Sequence, residues 1–322
     1  MVLTQALKAF SAAIALCLAV LVSSNALAQS GYPHRVVTLV THSSPGGGSD
    51  VFLRELARYL GPEMGVEFVV ENVRGGSGAR AMAQLANAPA DGSLFYATTP
   101  TYIYTSLLSR PANTYRDLEP LVNVFFDEEV VYTRTSGPFE TLEQVIEKAR
   151  TSRGRWGAST PASLERQALE QLKLAAGVTP AIVTHEGGGD LMLNVLNGTL
   201  DIGVGEAQEI RSQLDAGQLK ILAVFAPAQT ERLPGIPTVK ELGYDVVLTK
   251  FRGIAGPPGT PPAIVDAWQQ GVQRVLENPN YRSVYEARIL APHYIGHAQY
   301  SEFIDDFATR TQEFLRATGV LQ

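Results

Sequence analysis

The sequence contains almost no cysteine. Cys17 is the single one in 322 residues, and it lies in an apolar N-terminal segment that we expect to be removed. The chain that remains would form no disulfide and would offer no thiol for catalysis. Lipid attachment at Cys17 is not expected either, because Leu16 stands where a lipoprotein signal carries a small residue.

The apolar N-terminal segment is too short for a membrane anchor. It runs from Phe10 to Val22, whereas a membrane-spanning helix needs roughly 20 apolar residues. It follows the charged Lys8 and precedes Ala26-Leu27-Ala28, an order typical of secretory signal peptides. We expect a signal peptide at 1–28, cleaved after Ala28, which would release a periplasmic protein.

Charge of neither sign dominates. Lys and Arg number 26 and Asp and Glu 32; loss of Lys8 with the signal peptide would leave 25 basic against 32 acidic residues, a net charge of −7. This mild charge is spread without long runs, so nothing attracts the chain to nucleic acid or to an anionic membrane surface. With 45% hydrophobic residues the protein is expected to be globular, with about two domains.

Apolar periodicity predicts alternating strands and helices. Short β-branched or aromatic runs bounded by turn residues predict strands, and apolar residues at helical spacing predict helices. The first part of the chain has predicted strands at 35–41, 67–73 and 93–99, with helices at 50–65 and 79–92 between them. This alternation predicts a parallel sheet covered by helices.

The same pattern starts again after residue 127. Strands are predicted at 128–134, 181–186, 200–205 and 219–226, and helices at 141–150, 163–177 and 190–198. Two further helices, 262–278 and 300–319, are expected to pack on an existing sheet. We therefore predict two doubly wound α/β lobes. Since no Pro/Ser linker separates them, extended strands would join them, as in proteins with a hinged cleft.

Three glycine-rich stretches stand where predicted strands end and helices begin: Pro45–Asp50, Gly75–Gly78 and Gly187–Asp190. Ligands of open α/β sheets bind at that edge. Glycine lets backbone N–H groups approach a ligand, and a helix N-terminus adds partial positive charge, so each loop is a candidate cradle for a phosphate or a carboxylate. The alternative is a tight turn in which the next Ser or Asp caps the helix.

Known nucleotide motifs do not fit these loops. A P-loop requires Gly-Lys-Ser/Thr, whereas Gly48 is followed by Ser49-Asp50. The stretch from Gly76 to Ala81 fits the dinucleotide pattern G-x-G-x-x-A, but no acidic residue ends a following strand at the required distance.

Catalytic and metal motifs are incomplete as well. The G-x-S-x-G nucleophile elbow around Ser77 fails at Ala79. His293 and His297 are spaced for one face of a helix, yet His293 is not followed by the Glu of an H-E-x-x-H zinc site. We expect surface histidines there, and no metal or cofactor is indicated. His42, beside the first glycine loop, is a candidate for ligand contact.

A hydroxyl-rich loop precedes the predicted helix 163–177. Ser159, Thr160 and Ser163 offer hydroxyl and N–H groups that suit a carboxylate, although Ser163 could instead be a simple N-cap. Trp156 and Trp268 are expected to be packing residues. No conventional catalytic group joins this set, so binding fits better than turnover.

Blocks in a fixed order and spacing cover nearly the whole chain after residue 28: "YPHRVVTLVTHSSPGGGSD", "VENVRGGSGARAM", "ADGSLFYATTP", "HEGGGD", "VLNGTLDIGVGEAQEI", "LDAGQLKILAVFAPAQTERLPGIPTVKELGYDV" and "FRGIAGPPGTPP". They resemble the Bug family of periplasmic solute-binding proteins, the receptors of tripartite tricarboxylate transporters. The resemblance implies a type II periplasmic-binding-protein fold, a Venus flytrap whose lobes are joined by crossover strands. We expect lobe 1 at 29–129 plus 252–322 and lobe 2 at 130–251.

The resemblance also implies a function. A di-, tricarboxylate or aromatic carboxylate would be held between the lobes and delivered to a membrane permease. The receptor would be a monomer without cofactor, metal or nucleic-acid partner. Its implied ligand-binding residues are Ser43, Ser44, Gly46, Gly47, Gly48, Ser49, Asp50, Gly76, Ser77, Gly78, Ser159, Thr160, Ser163, Gly187, Gly188 and Gly189.

The chain departs from the family pattern in three places. Ala162-Ser163-Leu164-Glu165 stands where relatives often have Gly-Ser followed by His, and Phe251-Arg252-Gly253 where they often have Trp-Arg-Gly. Glu186 and Glu206 are expected near the cleft, where they could repel a citrate-like ligand or accept hydroxyl groups.

Two other functions remain open from the sequence. An exported hydrolase would act through Ser77 or Ser159, and it would turn over esters or amides that a receptor leaves unchanged. A sensory protein would present the bound acid to a membrane histidine kinase instead of a permease.

Overall fold

The computed structural model describes residues 31–321. The expected signal peptide at 1–28 lies outside this range. Among the helices described, none has both the length and the apolar character needed to cross a membrane. The strands of the described chain are β1 (Val36–Thr41), β2 (Glu67–Asn72), β3 (Leu94–Thr98), β4 (Glu119–Asp127), β5 (Glu129–Arg134), β6 (Arg155–Ala158), β7 (Ala181–Thr184), β8 (Ile202–Glu206), β9 (Leu219–Val224), β10 (Lys250–Gly256) and β11 (Ala291–Ile295).

The helices between these strands begin and end at recognisable signals. Gly65, with φ of 68°, ends the first helix, and Ser163 caps a helix of the second lobe by accepting from the Arg166 N–H. The helices are α1 (Gly48–Met64), α2 (Ala79–Ala86), α3 (Pro100–Ser109), α4 (Leu142–Thr151), α5 (Leu164–Ala176), α6 (Gly188–Leu196), α7 (Arg211–Asp215), α8 (Pro262–Glu277), α9 (Pro279–Ala287) and α10 (His297–Ala317).

The strands form two separate sheets, one in each lobe. The first sheet has the order β11-β4-β10-β3-β1-β2, and the second has the order β7-β6-β8-β5-β9. Helices α1 and α10 pack on the first sheet, and α5 and α6 pack on the second. The predicted two α/β lobes are therefore confirmed.

The predicted parallel pairing is only partly correct. Strand β1 is parallel to β2 and β3, and β6 is parallel to β7 and β8. The other pairs, which involve β4, β5 and β10, are antiparallel. Parallel neighbours need a crossover connection such as a helix, whereas β4, β5 and β10 are the strands that pass between the lobes. Both sheets are mixed for this reason.

The crossover strands bring charged residues together where the sheets meet. Strand β4 ends at Asp127, and only Glu128 separates it from β5. The returning strand β10 places Lys250 opposite Asp127, and β5 places Glu129 opposite Glu206 of β8. The lobe boundaries at 129/130 and 251/252 remain predictions, but the junction itself lies at these residues.

Each lobe has its own apolar core. Trp268 is completely buried in the first lobe, where its ring centroid lies 4.6 Å from that of Phe95. Trp156 is completely buried in the core of the second lobe. The expectation that both tryptophans serve packing is confirmed.

Candidate functional site

A small polar cavity lies between the two lobes. Its volume is about 20 Å³, roughly what one water molecule requires. An organic acid therefore fits only if the lobes separate or the side chains move. The cavity is lined by His42, Ser43, Gly48, Ser49, Thr101, Ser159, Thr160, Glu165, Gly187, Gly188, Glu206, Glu209 and Lys250.

Three loops converge on this cavity from the ends of parallel strands. The first follows β1 and opens α1, the second follows β6 and opens α5, and the third follows β7 and opens α6. Helix N-termini carry backbone N–H groups without intrahelical partners and a partial positive charge. The fold thus brings three of the predicted loops to one place.

The predicted site residues divide into three groups. Those that line the cavity are Ser43, Gly48, Ser49, Ser159, Thr160, Gly187 and Gly188. Those at the close contact between the first and third loops are Ser44, Gly47 and Gly189. The remaining ones do not line the cavity: Gly46, Asp50, Gly76, Ser77, Gly78 and Ser163.

The side chain of Asp50 organises the first loop. Its carboxylate accepts from the Gly46 N–H at 2.9 Å, from Arg54 at 3.0 Å and from Asn72 at 2.9 Å. These hydrogen bonds lower the pKa of Asp50, although burial opposes that shift. Asp50 therefore shapes the loop from within lobe 1.

The backbone N–H groups of the first loop already have acceptors. Gly47 donates to the Ser44 carbonyl at 3.0 Å within the loop. Gly48 donates instead to Oε2 of Glu209, 2.8 Å away in the other lobe. The N-terminus of α1 thus binds a carboxyl oxygen, and that carboxyl group belongs to the protein itself.

Two glycines of the cavity lie directly against buried charged side chains. A Cβ at Gly188 would collide with the Glu209 carboxylate, and a Cβ at Gly48 would collide with Glu206 and Arg252. The Glu209 carboxyl group is therefore enclosed between the N-terminus of α1 and that of α6.

Two buried hydroxyl groups at the site have no hydrogen-bond partner within residues 31–321. They are Ser44 Oγ and Thr160 Oγ1, in residues that are 0% and 5% exposed. Leaving a buried hydroxyl unpaired costs about 1–3 kcal/mol. Hydroxyls retained at such a cost are candidates for ligand contact.

The second glycine loop contacts the other lobe outside the cavity. Ser77 Oγ accepts from the Ala162 N–H at 3.3 Å, and the Ser77 carbonyl accepts from Thr105 at 2.6 Å. Ser77 has a φ of 54°. Gly78 packs against His42, since a Cβ there would lie 3.3 Å from its ring. This loop therefore supports the cavity wall.

His42 lines the cavity as a neutral imidazole. Burial, together with Lys250 and Arg252, lowers its pKa to about 4. Its Nδ1 lies 2.7 Å from the hydroxyl of Tyr96, and burial raises the pKa of that phenol. The phenol and the neutral imidazole thus share one hydrogen bond, whose donor depends on the tautomer of His42.

The prediction of surface histidines is correct for His293, which is exposed, whereas His297 is partly buried, and the two do not share a helix. His293 lies on β11 and stacks on Phe126 with ring centroids 4.0 Å apart, whereas His297 begins α10 and its Nδ1 lies 2.7 Å from the Pro120 carbonyl. The spacing suggested one helical face, but Gly296 caps a helix that starts only after His293.

A buried charge cluster forms the wall of the cavity on the side where the lobes are joined. Its members are at most 7% exposed and comprise five acids and two bases: Asp127, Glu129, Glu165, Glu206, Glu209, Lys250 and Arg252. Lys250 Nζ lies 2.5 Å from Glu165 Oε1 and 3.2 Å from Glu129 Oε1, and it also contacts Glu206. Arg252 pairs with Asp127 at 2.6 Å and with Glu206 at 3.1 Å.

The acids of the cluster differ in how readily they ionise. Burial raises the pKa of Glu129 to about 8, although Lys250 acts against this shift. Burial, reinforced by Glu165, likewise raises the pKa of Glu209 to about 8. Burial also disfavours ionised Glu165, but the charge and hydrogen bond of Lys250 prevail and lower its pKa to about 2.

Most of the charge cluster was missed by sequence reasoning. Glu206 was expected near the cleft and lines the cavity, whereas Glu186 is exposed and is absent from the lining. Two other members of the charge cluster had an indication in the sequence. Arg252 interrupts an apolar strand, and Glu165 stands in the block that departs from the family pattern. Glu209 had no such local signal.

Comparison with known proteins identifies relatives over nearly the whole chain. The family model of tripartite tricarboxylate transporter family receptors matches residues 52–320. Protein BugT of Bordetella pertussis is 25% identical over 295 residues, which cover 89% of this chain and 90% of BugT.

Solved structures show the same fold. The periplasmic binding protein BugD has a TM-score of 0.84 at 23% identity, covering 90% of this chain and 99% of BugD. An R. palustris protein solved with adipate also has a TM-score of 0.84 at 23% identity, covering 89% of this chain and 98% of that chain. The predicted periplasmic-binding-protein fold is confirmed.

Proposed function

This chain belongs to the tripartite tricarboxylate transporter receptor family, and from that premise we propose that it captures a small organic acid between its lobes. The receptor acts in the periplasm, after cleavage behind Ala28, and delivers the acid to a membrane permease of that transporter type. Closure of the cleft traps the acid, and the closed form is the one that the permease recognises.

The hydrogen bond from Gly48 to Glu209 carries this proposal. It joins a backbone N–H at the N-terminus of α1 to a carboxyl oxygen at 2.8 Å, across the contact between the lobes. A carboxylate of the ligand can replace that of Glu209 at the same N–H group, because the recognition uses backbone and helix dipole rather than a fixed side chain. The adipate of the R. palustris relative supports the same class of ligand.

The chemistry of the site supports binding without turnover. His42 is the histidine in the cavity lining, and its Nδ1 is engaged by Tyr96. The hydroxyl of Ser77 accepts from the Ala162 N–H. A serine hydrolase needs its base within hydrogen-bond reach of the nucleophile. Within residues 31–321 no hydrogen bond joins His42 to Ser77 or Ser159, so we assign neither serine a catalytic role.

Binding is tested by thermal shift and calorimetry with mono-, di- and tricarboxylates and aromatic acids. A ligand that binds only the folded state raises the Tm by mass action. Thr160→Val removes the unpaired cavity hydroxyl while keeping the side-chain shape. We expect unchanged or slightly higher stability but acid binding weakened about tenfold.

Thr133→Val is the matched control. Its hydroxyl is also buried, but it donates to the Asp201 carbonyl at 2.7 Å within lobe 2. This variant should lose about 1 kcal/mol of stability and bind acids like the wild type. A protein whose Tm no acid raises, or a Thr160→Val variant that binds normally, would contradict the carboxylate site.

Delivery is tested separately with membrane vesicles that contain the permease. Uptake of the labelled acid should require this protein. Equal uptake in its presence and absence would contradict a transport role and leave the sensory role. An intact mass that begins at Gln29 is the expected result for the exported protein.

A further inference from the structure

The charge cluster contains more acids than its two bases can balance. Five acids face Lys250 and Arg252, so full ionisation leaves an excess of three negative charges. Burying uncompensated charge of one sign is costly. Protons or an additional cation must therefore offset this excess.

The same cluster has more hydrogen-bond acceptors than donors. Lys250 has three N–H donors, and its Nζ already contacts Glu129, Glu165 and Glu206. Each acid nevertheless keeps at least one oxygen without a hydrogen-bond partner among residues 31–321: Asp127 Oδ1, both oxygens of Glu129, Glu165 Oε2, Glu206 Oε2 and Glu209 Oε1. An acid without further groups offers acceptors only, so it would not supply these missing donors.

A metal ion does not fit the cluster as well as a nitrogen cation. Carboxylate oxygens of Glu129, Glu165 and Glu206 lie within 4.8 Å of one another, as a metal site requires. The ammonium group of Lys250 contacts all three. It therefore holds the position that the ion would occupy.

Two of the acids are placed to reach a ligand. Glu206 and Glu209 line the cavity, and they lie against Gly48 and Gly188 of the glycine loops. Thr160, whose unpaired hydroxyl is independent of the acids, lines the same cavity. A cation bound by the two glutamates would thus lie beside a carboxylate bound by the loop N–H groups.

On the basis of the proposed function, we infer that the captured acid also carries a positively charged nitrogen. Glu206 and Glu209 bind this ammonium group, while the N-termini of α1 and α6 bind the carboxylate. The ligand class is therefore the amino acids and related ammonium carboxylates, and plain di- and tricarboxylates are disfavoured.

Proton release accompanies binding of such a ligand. Burial and Glu165 raise the pKa of Glu209 to about 8, so its carboxyl group holds a proton at pH 7. An ammonium group beside it favours the ionised form, and the proton passes to the solvent. The titratable groups that face this site are His42, Glu129, Tyr132, Glu165, Glu206, Lys250 and Arg252.

The experiment compares matched pairs of ligands by calorimetry on the purified protein at pH 7. Succinate is paired with aspartate, glutarate with glutamate and adipate with 2-aminoadipate, and butylamine is the amine without a carboxylate. We expect the aminated member of at least one pair to bind about ten- to hundredfold more tightly, the effect of one charge-assisted hydrogen bond. Titration in buffers of different ionisation enthalpy should reveal proton release for that member alone.

The outcomes separate this inference from the proposed function. Plain acids that bind as tightly as their aminated partners overturn the ammonium site but leave an acid receptor. Failure of every acid, aminated or plain, overturns the acid receptor itself. Butylamine that binds as tightly as the aminated acids would contradict the carboxylate half of the site.

Two glutamine variants assign the effect to a residue. Glu209→Gln should reduce the preference for the aminated ligand to less than about threefold and abolish proton release. Glu186→Gln removes a carboxyl group at an exposed position outside the cavity lining. This variant should keep both the preference for the aminated ligand and the proton release. Equal loss in the two variants would show a general charge effect and overturn the assignment. If Glu209→Gln does not fold, the preference of the wild type for the aminated member of each matched pair remains decisive.

Discussion

Replacing Glu129 by Gln tests whether the buried charge cluster holds protons at neutral pH. Glu129 is fully buried; its Oε1 lies 3.2 Å from Lys250 Nζ, and its Oε2 has no hydrogen-bond partner among residues 31–321. Burial raises its pKa from the ordinary 4.5 to about 8. Between these two pH values, the folded protein keeps a proton on Glu129 that the unfolded chain has released.

The magnitude follows from this one-proton difference. Stability falls with rising pH wherever the folded state binds more protons, by about 1.4 kcal/mol per pH unit for one proton. The contribution of Glu129 is thus complete below pH 4.5 and lost as the pH rises to about 8, a total of about 5 kcal/mol. Glutamine resembles the protonated carboxyl group but does not titrate. Glu129→Gln should therefore become more stable relative to the wild type with each pH unit in this window.

Urea is uncharged, so unfolding in urea at pH 5, 6, 7 and 8 measures the stability of Glu129→Gln relative to the wild type at constant ionic strength. The difference in the free energy of unfolding between Glu129→Gln and the wild type should widen by about 1.4 kcal/mol per pH unit. The exposed Glu186→Gln variant is the control, and its gap should stay constant. A constant gap for Glu129→Gln as well would refute the reasoning, because Glu129 would then ionise alike in both states.

Two further substitutions test the packing around the site. Arg252→Met removes the buried cationic partner of Asp127 and one of the two cationic partners of Glu206 and should cost about 3–5 kcal/mol in urea unfolding at pH 7. A loss below about 1 kcal/mol would contradict the role of these ion pairs. Gly157→Ala on β6 places a methyl group against Leu191 and Leu200, and overpacking should lower the free energy of unfolding by about 1–3 kcal/mol. An unchanged midpoint of urea unfolding would show that these leucine side chains can move aside.

The elements with regular periodicity were predictable from the sequence, whereas several others were not. Strands β1 to β3, β5 and β7 to β9 have β-branched or aromatic runs between turn residues, and the observed spans lie within the predicted ones or end within one residue of them, whereas the short strand β6 was missed. Strand β10 was missed because Lys250 and Arg252 interrupt its apolar pattern, yet the whole strand is buried. Helix α3 was missed because its β-branched and aromatic residues resemble a strand.

The site was predictable only as far as its loops. Glycine and hydroxyl residues at strand ends mark places where a backbone can approach a ligand, and three such loops meet at one cavity. The contacts between distant residues were not predictable, because Gly48 and Glu209, for example, are 161 residues apart along the chain. Their contact depends on how the two lobes face each other.

The sequence by itself determined the alternation of strands and helices, the two lobes and the glycine-rich loops, because these depend on periodicity and turn chemistry within short windows. Only the tertiary structure decided which charges are buried together. The register of the crossover strands sets Lys250 opposite Asp127 and Glu129 opposite Glu206, and pairing register depends on distant strands rather than on neighbours in the chain. The balance of acids and bases in the cavity, and with it the expected charge of the ligand, follows from that register.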